Sequence, residues 1–131
     1  MRGRGVSLLV DTQVFLWFES GSAKLSDFLR RTIGREQDVY VSAASFLEIA
    51  IKQRAGKLAF EGSPRAAARA SGFFELAIGG ADAETASALN WDNRDPFDRM
   101  LVAHCLNRDL ALVTADPRFR ARKDIAVMWA G

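Results

Sequence analysis

Short apolar runs that stop abruptly on polar residues constrain this chain more than any other feature. Val6-Ser7-Leu8-Leu9-Val10 runs straight into Asp11-Thr12, and Leu110-Ala111-Leu112-Val113 into Thr114-Ala115-Asp116-Pro117. Runs without polar alternation describe strands buried on both faces. Val39-Tyr40-Val41 and Ile125 to Trp129 are shorter strand candidates, and Phe73 to Ile78 has room for one more.

Between these runs the sequence predicts helices. Val14 to Phe18 reads as a short one stopped by Ser20-Gly21-Ser22, and Leu25, Phe28, Leu29 and Ile33 repeat at helical spacing, with Arg30 and Arg31 turned outward. Ser42 can cap a helix reaching about Ala55, Ser63-Pro64 opens another through about Gly72, and Asp82 to Leu89 is helical again. Asp95-Pro96 opens the last, to about Asn107, because proline fits the first helical position and the aspartate before it can cap. Strands alternating with helices need crossover connections and so predict a mostly parallel sheet, an α/β chain in three layers. No repeat or linker divides it, and residues 1–131 read as one domain.

Composition excludes several classes. The 131 residues are 49% hydrophobic and 26% charged, ordinary globular proportions. One cysteine, Cys105, cannot form an internal disulfide, and it falls in an apolar helical run that suits an inert thiol. The one histidine, His104, has no Ser or Cys motif beside it, which argues against triad chemistry and a zinc site. No apolar run approaches the ~20 residues needed to span a bilayer, and the basic start Met1-Arg2-Gly3-Arg4-Gly5 lacks a signal-peptide core; a cytoplasmic protein is expected. Trp17, Trp91 and Trp129 read as core residues rather than base-stacking platforms. A net charge of +2 permits an acidic partner without demanding one.

The acids carry the chemical signal. Asp11 and Asp116 stand at the carboxyl ends of predicted strands, and in a parallel sheet those ends share one edge. Glu48 interrupts a helix that is apolar on nearly all sides, where an unpaired carboxylate costs several kcal/mol; an (i, i+4) pair with Lys52 is the simpler reading. Asp98 falls in the first turn of the helix opened by Asp95-Pro96. That helix is expected to begin near the opposite edge if it runs simply antiparallel, so bringing Asp98 in requires the helix to lie across the edge. Periodicity leaves this open. Carboxylates held together take up protons or recruit cations, and hard oxygen donors favour Mg²⁺ or Mn²⁺. Two such ions about 4 Å apart can activate water and stabilise a phosphodiester displacement.

These segments also carry a resemblance. Leu8-Leu9-Val10-Asp11-Thr12, Ser42 to Lys52 with Gly56-Lys57-Leu58, Arg94-Asp95-Pro96-Phe97-Asp98-Arg99-Met100-Leu101-Val102-Ala103, and Leu112-Val113-Thr114-Ala115-Asp116 resemble, in order and spacing, the PIN-domain ribonucleases. More narrowly they are similar to VapC-type toxins of bacterial toxin–antitoxin pairs. The resemblance implies a central parallel sheet sandwiched by helices and an endoribonuclease acting on RNA through Mg²⁺ or Mn²⁺. It also implies a homodimer and a hetero-oligomer with a cognate antitoxin whose tail blocks the pocket. Position by position it makes Asp11, Glu48, Asp98 and Asp116 the catalytic and metal-binding set, with Arg99 and Thr114 toward substrate. Departures are Gln13 and Asn93 where close relatives often carry histidine, and Leu47 where tryptophan is frequent.

Two other functions fit parts of the pattern. A phospho-accepting, receiver-like domain also ends a central strand on aspartate, but it needs a late lysine that Ile125 to Gly131 does not provide. A catalytically silent module binding RNA or an antitoxin would retain the acids without turnover.

Overall fold

The computed structural model describes residues 7–34 and 38–130, so Val6 of the first predicted strand lies outside the described residues. Strands β1 (Leu8–Val10), β2 (Val39–Ser42), β3 (Phe74–Leu76), β4 (Ala111–Thr114) and β5 (Val127–Trp129) form one sheet in the order β3-β2-β1-β4-β5. Every pairing is parallel. β1 is central, with Leu8 opposite Val39 on one side and Ala111 on the other.

The helices are α1 (Thr12–Ser20), α2 (Asp27–Ile33), α3 (Ala43–Arg54), α4 (Pro64–Ala70), α5 (Gly80–Ala88) and α6 (Pro96–Arg108), with a short 3₁₀ helix at Pro117–Ala121. Their starts follow capping chemistry. Asp11, Ser26, Ser42, Ser63 and Asp95 each accept a backbone N–H with their side chains. Gly21 closes α1 in the left-handed conformation, at φ 68°.

Strand alternation sorts the core into two layers. Leu8 and Val10 face a cluster with Val14, Phe15, Leu29, Ile49 and Ala68, drawn from α1 to α4. Leu9 and Leu112 face Leu101, Val102, Cys105 and Phe119, which come from α6 and the 3₁₀ helix. The result is a three-layer α/β arrangement. Cys105 is buried, and burial pushes its thiol pKa up to about 12, which makes it inert.

Three expectations change. α6 ends at Arg108, and β4 begins at Ala111, so the C-terminus of α6 lies at the amino edge of the sheet. A helix that returns antiparallel to deliver the next strand therefore starts at the carboxyl edge, and Asp98 arrives there without any crossing of the edge. α3 is not wrapped in apolar contacts, since Leu47 and Ile51 are 54% and 50% exposed. Arg30 folds back over the Phe18 ring and donates to the carbonyls of Phe18 and Ser22 at 3.1 and 2.8 Å, instead of pointing to solvent.

A buried polar network seats α6. Asp82 of α5 is 1% exposed and accepts from both guanidinium amines of Arg108, at 2.6 and 3.0 Å, and from Asn107 and the Gly79 N–H. The Arg108 bonds hold its carboxyl well below the usual carboxylate range. His104, fully buried, contacts Ser42 Oγ at 2.7 Å and lies 3.6 Å from Asp82. Burial drives its pKa down to about 4, so it is neutral at pH 7. Although Ser, His and Asp meet here, all three are 1% exposed or less, and no substrate reaches them.

Removing Arg108 strands a buried carboxylate, whereas removing Arg65 breaks only an exposed pair with Glu75. Arg108→Met is therefore expected to cost about 2 kcal/mol of unfolding free energy, and Arg65→Ala less than about 1 kcal/mol. Urea denaturation of the two variants measures the difference.

Candidate active site

The strand order turns back between β1 and β4, because the chain builds outward to β2 and β3 on one side and to β4 and β5 on the other. In open parallel sheets that position leaves a crevice at the carboxyl edge, where neighbouring connections diverge. A cavity of about 500 Å³ lies there, and Asp11, Glu48, Asp98 and Asp116 all line it. The four carboxylates come from the end of β1, α3, the first turn of α6 and the turn after β4.

Asp11 forms the floor. It is 6% exposed, with Oδ1 accepting from the Val14 N–H at 2.8 Å and Oδ2 from the Thr114 hydroxyl at 2.5 Å. The Thr114 oxygen in turn accepts the Asp116 N–H at 3.0 Å, which ties the ends of β1 and β4 together. Glu48 accepts from Thr12 Oγ1 at 2.7 Å and from Lys52 at 3.0 Å. Thr12 Oγ1 also lies 2.8 Å from the buried Ser45 hydroxyl. With one proton on each hydroxyl, Ser45 donates to Thr12 and Thr12 to Glu48. Asp98 Oδ2 accepts from Asn93 at 2.8 Å, while Asp95 caps α6 and is not among the residues lining the cavity.

The model of the PIN domain family matches residues 8–125. The chain belongs to the PIN domain family. Among solved structures, a chain of the VapBC2 complex from Rickettsia felis bound to a promoter DNA fragment superposes with a TM-score of 0.72 at 9% identity, covering 95% of this chain and 98% of that one. A toxin–antitoxin complex from Klebsiella pneumoniae gives 0.67 at 19% identity, with 93% and 96% covered. The VapBC-5 toxin–antitoxin system of Mycobacterium tuberculosis gives 0.60 at 20% identity, with 95% and 98% covered. At these identities the likeness establishes the fold. No curated protein sequence matches significantly.

In this PIN domain the acids differ in charge preference. Burial raises the pKa of Asp11 to about 6 against the opposing bonds from Thr114 and Val14, and the nearby Asp116 and Asp98 add repulsion. Burial also raises Asp98, whereas Arg118 lowers Asp116. A single guanidinium nitrogen, Nη2 of Arg118, lies 2.6 Å from Asp116 Oδ2 and 3.2 Å from Asp98 Oδ2. The donor set is all oxygen, as Mg²⁺ or Mn²⁺ prefers, and a cation already sits between two of its members. Among the described residues, no three Asp, Glu, His or Cys groups stand close enough to hold one ion as the side chains lie.

The two residues expected toward substrate are engaged elsewhere. Arg99 donates to the carbonyls of Ala86, Ser87, Leu89, Trp91 and Asn93, at 2.6 to 3.4 Å, and so clamps the end of α5 and its connection to α6. Thr114 is fully buried and gives its proton to Asp11. Sequence reading missed Arg118, Thr12 and Ser45. Arg118 had a signal, since it follows Asp116-Pro117 at the distance where a turn folds back on its capping acid. Trp17 and Trp91 pack against the core as read, although Trp17 also lines the cavity, whereas Trp129 is 39% exposed beneath Arg120.

The raised Asp11 pKa carries a stability consequence. Between its ordinary value of 3.8 and about 6, the folded chain holds a proton that the unfolded chain has released, so stability falls as pH rises through that window. In chelator, Asp11→Asn is expected to be more stable than the parent by about 1–2 kcal/mol at pH 8. The gain should vanish by about pH 3, below the ordinary value of 3.8, because Asp11 is then largely protonated in both states. Thermal and urea unfolding at the two pH values test this, and a variant less stable at pH 8 would refute it.

Proposed function

We propose that this PIN domain, spanning residues 1–131, is a metal-dependent endoribonuclease and the toxin of a toxin–antitoxin pair. The observation that carries the reading is the convergence of Asp11, Glu48, Asp98 and Asp116, from separate elements, on one cavity at the sheet's reversal point.

Bound there, Mg²⁺ or Mn²⁺ would supply a polarised water and charge stabilisation for phosphodiester hydrolysis. The chain's own residues set the stage. Thr114 and the Val14 N–H fix both oxygens of Asp11, and Asn93 orients Asp98. The Ser45–Thr12 relay holds Glu48 from the α1 side, while Lys52 holds it from the solvent side. Lys52, Lys57 and Arg118 line the same cavity and supply cations for a polyanionic substrate.

A protein partner suits the surroundings. A second cavity of about 500 Å³, lined by Leu16, Trp17, Leu58 and Phe60, shares Gln13, Leu16, Trp17 and Leu58 with the acidic one. An antitoxin segment with apolar and basic residues would fill both, and the structural neighbours include toxin–antitoxin complexes. Leu47 and Ile51, exposed on α3, give a homodimer or a hetero-oligomer an apolar surface. No helix among the described residues is long and apolar enough to cross a membrane, and the proposed site of action is the cytoplasm.

The test is digestion of a mixed cellular RNA pool by the purified chain in Mg²⁺, in Mn²⁺ and in chelator, beside Asp98→Asn. Discrete fragments that require metal and fall at least about a hundredfold in the variant are expected. Intact RNA throughout, with tight RNA binding, would identify the silent binding module instead.

A further inference from the structure

Among the described residues, Arg118 differs from Arg99 and Arg94, the other arginines placed near the acids. The guanidinium of Arg99 is locked onto backbone carbonyls, and Arg94 is exposed and does not line the cavity. Arg118 lines the cavity with a side chain 55% exposed, yet it bridges two acids of the proposed catalytic set. Its backbone is anchored. Phe119, 1% exposed, packs on the Trp91 ring, and the Arg118 N–H is fixed to Asp116 Oδ1 at 2.9 Å. The guanidinium can therefore leave by side-chain rotation alone, while the 3₁₀ helix stays in place.

We propose that Arg118 is a displaceable counter-ion, which Asp98 and Asp116 share in the metal-free protein and which must be expelled before a divalent cation can bridge them. This rests on the metal-dependent reading above. The shared Nη2 sits where the two carboxylates approach each other, so a cation serving both competes with it directly. Because neither carboxylate loses its partner until another cation arrives, the repulsion between the two is eased without metal. Arg118 is thus a positioning residue that sets the metal concentration at which the site loads.

Mn²⁺ binding by calorimetry, on the purified chain without RNA, tests the exchange. Arg118→Gln removes the competitor, and Lys57→Gln removes a cavity-lining cation that is not placed between the acids. Arg118→Gln is expected to bind Mn²⁺ about three- to tenfold more tightly than the parent, and Lys57→Gln less than twofold more tightly. Arg118→Lys, which keeps the charge on a compact ammonium, should fall between parent and glutamine variant. In chelator, Arg118→Gln should melt slightly below the parent, and Mn²⁺ should raise its melting temperature by more than it raises the parent's. Equal or weaker Mn²⁺ binding by Arg118→Gln, or equal tightening by both glutamine variants, would overturn the proposal and leave the metal site standing. Mn²⁺ binding by none of the chains would overturn the metal-dependent reading as well.

Discussion

The carboxylate of Asp11, buried at the end of the central strand, is the constraint on which the site depends. A charge in that position is costly, and the chain spends two hydrogen-bond donors on it, from Val14 and Thr114. The Val14 bond is also the N-cap of α1, so one side chain starts the first helix and floors the cavity. The Thr114 bond joins the ends of β1 and β4, residues 103 apart in sequence, at the point where the strand order reverses. Fold closure and site assembly therefore share the same contacts.

Around that floor, each remaining acid is positioned by a different local device. Asp98 is delivered by the antiparallel return of α6, and the Asp82–Arg108 network at the far end of that helix keeps it seated. Glu48 is held between a helix-periodic lysine and a hydroxyl relay, and Asp116 by the turn it caps. Among the described residues, Glu48, Asp98 and Asp116 each have a cation within ion-pair distance, and those cations offset part of the cleft's negative charge. Arg118 is the one shared by two acids, which is why it stands out as the group that must move.

Much of this was legible because it is local. Apolar runs ending on Asp11 and before Asp116 announce strands and their carboxyl edge, and Ser42, Ser63 and Asp95 announce helix starts through capping. The Glu48–Lys52 pair follows from helical spacing. What was not legible depends on tertiary neighbours. Thr12 meets Glu48 across 36 residues, and Arg99 finds five carbonyls spread over the end of α5 and its connection to α6. The edge at which α6 is expected to begin differs from the observed one for a topological reason. A helix feeding a parallel strand ends at the amino edge and so must begin at the carboxyl edge, close to Asp11. The exposed face of α3 was misread because Leu47 and Ile51 look like core until the packing of their neighbours is known.

The central claim is that these acids form one divalent-cation site. It is tested most directly by a crystal structure of the chain soaked in Mn²⁺, with anomalous scattering recorded to locate the ion. A peak in the cleft contacted by Asp11 and by Asp98 or Asp116, with the Arg118 guanidinium withdrawn from between the two, is the expected result. A cleft without an anomalous peak, in crystals where Arg118 still bridges Asp98 and Asp116, would contradict it.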